Sequence, residues 1–345
     1  MSSKNLTFHL AERPTGNIVP GRTFKLVETD APTADKLKDG EILVEVIYLS
    51  LDPALRIWLH DFRSYIPALK IDEKIRGSAI TRVLASKSPK AKQGDLVFAH
   101  SGWTEYAIVD ENNFFPIDLP QGAQLTDFLG AIGVTGLTAY FGLEKVGNPQ
   151  PGETVVVSGA AGATGIIVGQ IAKIRGSRVI GIAGSDEKCD ILTKELGFNV
   201  ALNYKKASFR EEFERATPGL VDLYWDNVGG EILELALERA AKRARFVMCG
   251  GTSEYNSLGG EAKPGVRNLL QVVINRIRME GFIAFDYVDE YPQARVELGK
   301  WLAEGKIKRK ETILKGGLKV AETGIGDLFA GKNVGKMIVE VKPLE

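Results

Sequence analysis

The sequence predicts an α/β protein in two parts: a β-rich unit and, after it, a doubly wound parallel sheet. Three observations carry that prediction. The chain has 345 residues, which at roughly 150 per domain suggests about two domains. Its first third holds short strand-like runs split by Gly and Pro. From about Asp127 to Phe285, strand-like and helix-like segments alternate.

In the β-rich part, Glu41–Ser50 alternates before a turn at Asp52-Pro53. Asp95–His100 follows the turn Gln93-Gly94, and Trp103–Val109 reads as another short strand, a pattern of small barrels or sandwiches. The alternating part begins with the strand Thr154–Ser158 and a helix to Arg175, then the strand Arg178–Ala183 and a helix over Glu187–Leu196. Strand Asn199–Asn203 precedes the helix Ser208–Ala216, and strand Val221–Asp226 precedes the helix Glu231–Ala241. Strand Ala244–Gly250, the helix Val266–Arg276 and a strand Met279–Phe285 close the series. Strands joined by helical crossovers make a parallel sheet covered on both faces. After Trp301 β character returns, and the last strand, Gly335–Val341, is expected to rejoin the first unit. The expected division is 1–128, completed by 305–345, and 129–304.

Composition narrows the chemistry. Lys plus Arg (44) equals Asp plus Glu (44), which argues against nucleic acid or an anionic membrane as partner, since both select a basic excess. Two cysteines and three histidines make neither a disulfide framework nor a ready transition-metal site, the usage of a metal-free protein of a reducing, cytoplasmic compartment. Met1–Pro20 is charged throughout and has no apolar core of a signal peptide, and the C-terminal Lys342–Glu345 matches no anchoring signal. Thr154–Ala172 is uncharged and nearly long enough for a bilayer, but four glycines interrupt it, so it reads as strand, turn and helix start.

The strongest local signal lies in that stretch. Val155-Val156-Val157 runs into Ser158-Gly159-Ala160-Ala161-Gly162-Ala163-Thr164-Gly165 and then into a helix. The spacing Ala160-x-Gly162-x-x-Gly165 is an alanine-led dinucleotide fingerprint. Gly162 lets the backbone approach a pyrophosphate at the helix N-terminus, and Gly165 lets helix and strand pack closely. The second strand ends at Gly184-Ser185, where an NAD enzyme usually carries a carboxylate for the ribose hydroxyls. A small neutral pair there, with Lys188 one turn on, accommodates a 2′-phosphate and favours NADP(H).

These residues, with segments spread along nearly the whole chain, resemble a known family. Tyr48–Arg56 (YLSLDPALR), Gly102–Val109, Gly133–Leu143, Gly159–Lys173, Gly184–Lys188, Asn203–Lys205, Asp226–Gly230 (DNVGG), Cys249–Asn256 (CGGTSEYN), Glu280–Phe285 and Gly331–Lys336 (GKNVGK) appear in the family's order. The chain resembles the zinc-free branch of the medium-chain dehydrogenase/reductase superfamily, within it the leukotriene B4 12-hydroxydehydrogenase, prostaglandin reductase and NADP-dependent alkenal double-bond reductase group. The resemblance implies a Rossmann domain beside a GroES-like barrel domain, and commonly a homodimer paired through edge strands, here Met279–Phe285. It also implies roles. Gly162, Ala163, Thr164 and Gly165 would hold the pyrophosphate, and Lys188 and Tyr204 the 2′-phosphate. Asn227 and Asn333 would contact the cofactor. Cys249, Gly250 and Tyr255, with Phe282, Ile283 and Ala284, would line its nicotinamide half. Tyr255 is the candidate catalytic hydroxyl, toward the nicotinamide ribose or the substrate oxygen. Two departures stand out. Ala54-Leu55 replaces a Tyr-Met pair common in the family, which removes an aromatic pocket wall. Arg76-Gly77-Ser78 stands where zinc-dependent cousins carry Gly-His-Glu.

Without a metal to stabilise an alkoxide, hydride delivery to the β-carbon of an α,β-unsaturated carbonyl is the better-matched task, because delocalisation already lowers the charge that develops. One neutral donor, such as the Tyr255 hydroxyl, typically contributes about 3–4 kcal/mol to such a step. A quinone reductase of the same branch and a non-catalytic NADPH-binding protein remain alternatives. His60, His100, Cys189 and Cys249 read as structural residues.

Overall fold

The computed structural model describes residues 4–258, 260 and 265–344; Met1–Ser3 and Glu345, at the ends scanned for targeting signals, lie outside the described residues. Seven strands come first: β1 (Lys4–Leu10), β2 (Phe24–Asp30), β3 (Glu41–Ser50), β4 (Ala79–Ser86), β5 (Leu96–Ala99), β6 (Tyr106–Asp110) and β7 (Phe114–Pro116). Six more follow among helices: β8 (Thr154–Val157), β9 (Arg178–Ala183), β10 (Val200–Asn203), β11 (Val221–Asp226), β12 (Ala240–Met248) and β13 (Arg278–Gly281). The chain closes with β14 (Glu311–Lys315) and β15 (Lys336–Glu340).

β8 to β13 form one sheet in the order β10-β9-β8-β11-β12-β13, parallel at every step. Val155, Val156 and Val157 of β8 are wholly buried, as expected of a strand with helices on both faces. Strand order reverses between β8 and β11, so a crevice opens beyond their C-terminal ends. The second sheet runs β14-β15-β3-β4-β5-β7, with β6 also paired to β3. β15 lies antiparallel to β3, so the C-terminal strand does return to the first sheet. The β1–β2 hairpin is fastened beside this sheet through Phe8 N–H to Trp103 O (2.9 Å) and Leu10 N–H to Glu73 O (3.0 Å).

Several boundaries differ from the sequence expectation, each for a tertiary reason. The strand read from Trp103 begins only at Tyr106, because Trp103 is buried with Phe8 and Phe24 packed edge-on against its ring. The helix expected to reach Ala241 ends at Glu238, and β12 starts at Ala240, which pairs with Val221. Sheet pairing overrides the helical propensity of Ala240–Ala244 there, with Arg243 in the left-handed region (φ 65°). The helix expected over Val266–Arg276 is confined to Leu270–Asn275, since the Arg267 N–H donates to Glu234 Oε1 (2.8 Å) and Arg276 turns left-handed (φ 52°). The closing strand is short and charged, not apolar: β13 is Arg-Met-Glu-Gly. Beyond Gly281 the chain leaves the sheet, and Phe282 packs edge-on to Trp225 (5.7 Å).

Candidate functional site

The crevice begins with the turn after β8. Gly159 takes φ +57°, the Gly162 N–H donates to Gly159 O (3.0 Å), and the helix Ala163–Ile174 starts with no side-chain cap. Its first N–H groups are therefore left for another acceptor, and the aligned peptide dipoles favour an anion there. A Cβ on Gly165 would stand 2.5 Å from Gly159 O and 2.8 Å from Ala160 Cα, so only glycine allows this approach of helix to strand. A Cβ on Gly162 would have one neighbour, Gly159 O at 3.2 Å, which leaves its outward side open. The turn is bridged from the far end of the chain, where the Gly335 N–H donates to Ala161 O (2.8 Å).

At the end of β9, Ser185 caps the next helix by accepting from the Lys188 N–H (3.3 Å), and Lys188 Nζ donates to Gly331 O (2.6 Å). Burial, then repulsion from Lys205, lowers the Lys188 pKa. A dianion bound beside the pair would relieve that repulsion. Tyr204 stands next to Gly184, whose Cβ would come 3.2 Å from its ring. Asp186, the nearest carboxylate after the capping serine, is committed to Lys206 (2.7 Å) and Asn203 (3.1 Å). Two cations thus face a small, neutral strand end.

At the end of β11 the side chains brace the crevice floor. Buried Asp226 accepts through Oδ1 from Ser158 Oγ (2.9 Å), Tyr224 Oη (3.1 Å) and the N–H groups of Val228 and Gly229. The Asn227 carboxamide donates to Ser158 O (2.7 Å) and accepts from Trp225 Nε1 (3.0 Å). Asn333 donates to Gly335 O (2.7 Å). Asn227 therefore has both polar ends engaged within the protein, and Asn333 its amide nitrogen.

The loop after β12 supplies the hydroxyl. Cys249 and Gly250 N–H groups both donate to Asp226 O (2.9 and 3.0 Å), folding the loop back over the crevice. The Tyr255 Oη accepts from the Gly251 N–H (3.2 Å), which leaves its own proton free to be donated. Burial pushes its pKa up to about 12, so it is a neutral donor at ordinary pH. Burial, helped by Asp226, raises the Cys249 thiol to about 12 as well, which keeps it un-ionised and a poor nucleophile.

Every residue assigned from the sequence to cofactor binding or catalysis lines one continuous cavity of about 940 Å³. Its other half includes Trp58 and Tyr65, which the sequence did not single out, and Phe285, the last residue of a matching segment. Trp58 Nε1 donates to Tyr65 Oη (3.0 Å), and Tyr65 meets Phe285 at 6.5 Å between ring centroids. An aromatic wall is thus present despite Ala54, assembled from three separate segments, of which only the one ending at Phe285 was marked by the resemblance. Ser50, Asp52 and Lys336 form a hydrogen-bonded chain at the same end, and Ser78 Oγ pairs with His100 Nδ1 (3.0 Å).

The donors present do not fit a catalytic zinc. Among the described residues no three His, Cys, Asp or Glu side chains converge, and Arg76-Gly77-Ser78 offers no such ligand. A phosphorylated dinucleotide does fit: a bare helix N-terminus, glycines where a Cβ would intrude and a lysine pair at the far end are the features that such a molecule requires.

Comparison with known proteins agrees with this geometry. Residues 7–117 match the family model described as the N-terminal domain of oxidoreductase, and residues 163–300 the one described as zinc-binding dehydrogenase. The chain is 39% identical over 344 residues to the NADPH-dependent curcumin reductase of Escherichia coli K12, covering 98% of this chain and 97% of that one. It is 38% identical over 310 residues to the NADP(+)-dependent 2-alkenal reductase of Nicotiana tabacum, covering 89% of each. The crystal structure of Vibrio vulnificus CurA in complex with NADPH superposes with a TM-score of 0.91 at 37% identity, covering 98% of this chain and 100% of that one.

Proposed function

Since the chain belongs to the NADP-dependent reductase group of the zinc-free medium-chain dehydrogenase/reductase family, we propose that it uses NADPH to reduce the C=C bond of an α,β-unsaturated ketone or aldehyde, adding hydride at the β-carbon and a proton, from Tyr255 or water, at the α-carbon. The observation that carries this reading is the Tyr255 hydroxyl, polarised by the Gly251 N–H and lining the same cavity as the fingerprint turn.

The fingerprint turn, Gly162 to Gly165, holds the pyrophosphate, and Lys188 with Tyr204 holds the 2′-phosphate. Asn227, Asn333, Cys249 and Gly250, with Phe282, Ile283 and Ala284, hold the ribose and nicotinamide half. When bound, the dihydronicotinamide supplies a hydride. Tyr255 donates its proton-bearing side toward the substrate carbonyl oxygen, where negative charge grows as the β-carbon is reduced. The Gly251 N–H, bonded to the same oxygen, strengthens that donation. Trp58, Tyr65 and Phe285 present apolar ring faces, which exclude water and align a flat conjugated system. The neutral Cys249 thiol does not compete for the electrophilic carbon.

NADPH consumption over a panel of enals, enones and quinones, with product analysis, tests the reading. Saturated carbonyl products support it; allylic alcohols, or turnover of quinones alone, refute it. We also infer a homodimer joined at the free edge of the parallel sheet. β13 ends that sheet, and Leu269, Leu270, Val273 and Ile274 just before it are exposed. A monomer mass by light scattering at micromolar concentration refutes this. With Cys189 and Cys249 both free, the protein is assigned to the cytoplasm; among the described residues no helix is long and apolar enough to cross a membrane.

A further inference from the structure

We propose that Arg56 is a positioning residue for the reaction, holding Asn256 across the cleft and thereby fixing the hydroxyl of the adjacent Tyr255; this rests on the role given to Tyr255 above. Arg56 sits on the short helix Leu55–Trp58 and is completely buried. Its hydrogen bonds go to neutral acceptors in three segments. Nη2 donates to Pro14 O (3.1 Å) and Gly16 O (2.8 Å), Nη1 donates to His60 Nε2, and Nε donates to Asn256 Oδ1 (3.2 Å). Burial lowers its pKa to about 10, so it stays cationic, and among the described residues no carboxylate is paired with it. His60 is held neutral, which makes its ring nitrogen available as an acceptor.

Burying a guanidinium is costly, and its rigid fork of donors is suited to fixing several segments at once. Two of the three segments belong to the β-rich unit. The third is the single turn Tyr255–Ser257, in the loop that leaves the parallel sheet. The base of that loop is held by its own unit, through the Thr252 N–H to Asn227 O (3.1 Å) and the Ser253 N–H to Val228 O (3.1 Å). The Nε–Oδ1 bond ties the tip to the opposite wall. A donor must stand within about 0.5 Å of its productive position, and a displacement near 1 Å costs on the order of 10²-fold in rate.

The test is a kinetic cycle on the holoenzyme with Asn256→Ala and Tyr255→Phe, singly and together, because Arg56 variants risk misfolding. Asn256→Ala is expected to lower kcat about tenfold with KM for NADPH and melting temperature nearly unchanged. Asn256→Asp, whose carboxylate accepts from the same N–H, is expected to stay within about twofold of the parent. In the Tyr255→Phe background, Asn256→Ala should cost nothing more, since the residue acts through the tyrosine. An undiminished kcat in Asn256→Ala, or a loss that persists without the hydroxyl, overturns the proposal while the role of Tyr255 stands. An undiminished kcat in Tyr255→Phe overturns both.

Discussion

Gly250 and Tyr255 are fitted to one another: a Cβ on Gly250 would stand 2.9 Å from the Tyr255 Oη, the atom that accepts from the Gly251 N–H. The glycine is the space in which the hydroxyl sits. The loop therefore has two ways to lose its donor, by removing the oxygen or by crowding it.

Tyr255→Phe is expected to keep NADPH affinity and lower kcat at least about tenfold, the low end for deleting one charge-stabilising donor. Gly250→Ala, with the tyrosine intact, should lower kcat in the same direction. Steady-state kinetics with a fluorescence titration of NADPH check both. A wild-type kcat in Tyr255→Phe removes the residue from the mechanism.

Lys188→Ala should weaken NADPH by about 1.5–3 kcal/mol, the worth of a hydrogen bond to a charged group, and leave NADH nearly unchanged. The wild-type preference for NADPH should also shrink as salt rises, because the lysine pair is partly exposed to solvent. Equal losses for both cofactors would take Lys188 away from the 2′-phosphate.

Gly165→Ala should destabilise the fold by about 1–3 kcal/mol, the usual cost of overpacking, since its Cβ would meet the Gly159 carbonyl at 2.5 Å. Gly162→Ala, with room on its outward side, should melt close to the parent yet bind NADPH less tightly. Thermal melts with and without NADPH separate the two. Equal melting losses would show that Gly162 serves packing rather than binding.

Acid should weaken the protein through His60. Burial first, then the neighbouring cations Arg56 and Arg13, lowers its pKa from 6.5 to about 4. The unfolded chain thus takes up the proton first. The stabilisation is complete above about pH 6.5 and is lost as pH falls toward 4. Urea titrations from pH 7 to 4 should show this slope, and His60→Gln should flatten it. An unchanged slope assigns the acid sensitivity elsewhere.

Sequence alone was enough for the alternation of strands and helices and for the cofactor end of the site, because both are written locally. β-Branched runs such as Val155–Val157 alternate with helical segments, and Gly162, Gly165, Gly184 and Lys188 lie at fixed steps from strand ends that the chain itself sets. The substrate end depended on the tertiary structure. Trp58, Tyr65 and Phe285 become one wall only when the two units close, and Arg56 reaches Asn256 across 200 positions of sequence. The same physics moved the boundaries at Ala240, Leu270 and Gly281, where pairing with a distant strand or contact with a distant side chain outweighed local propensity. Backbone preference acts over a few neighbours, whereas a pocket wall is made by whichever surfaces the core brings together.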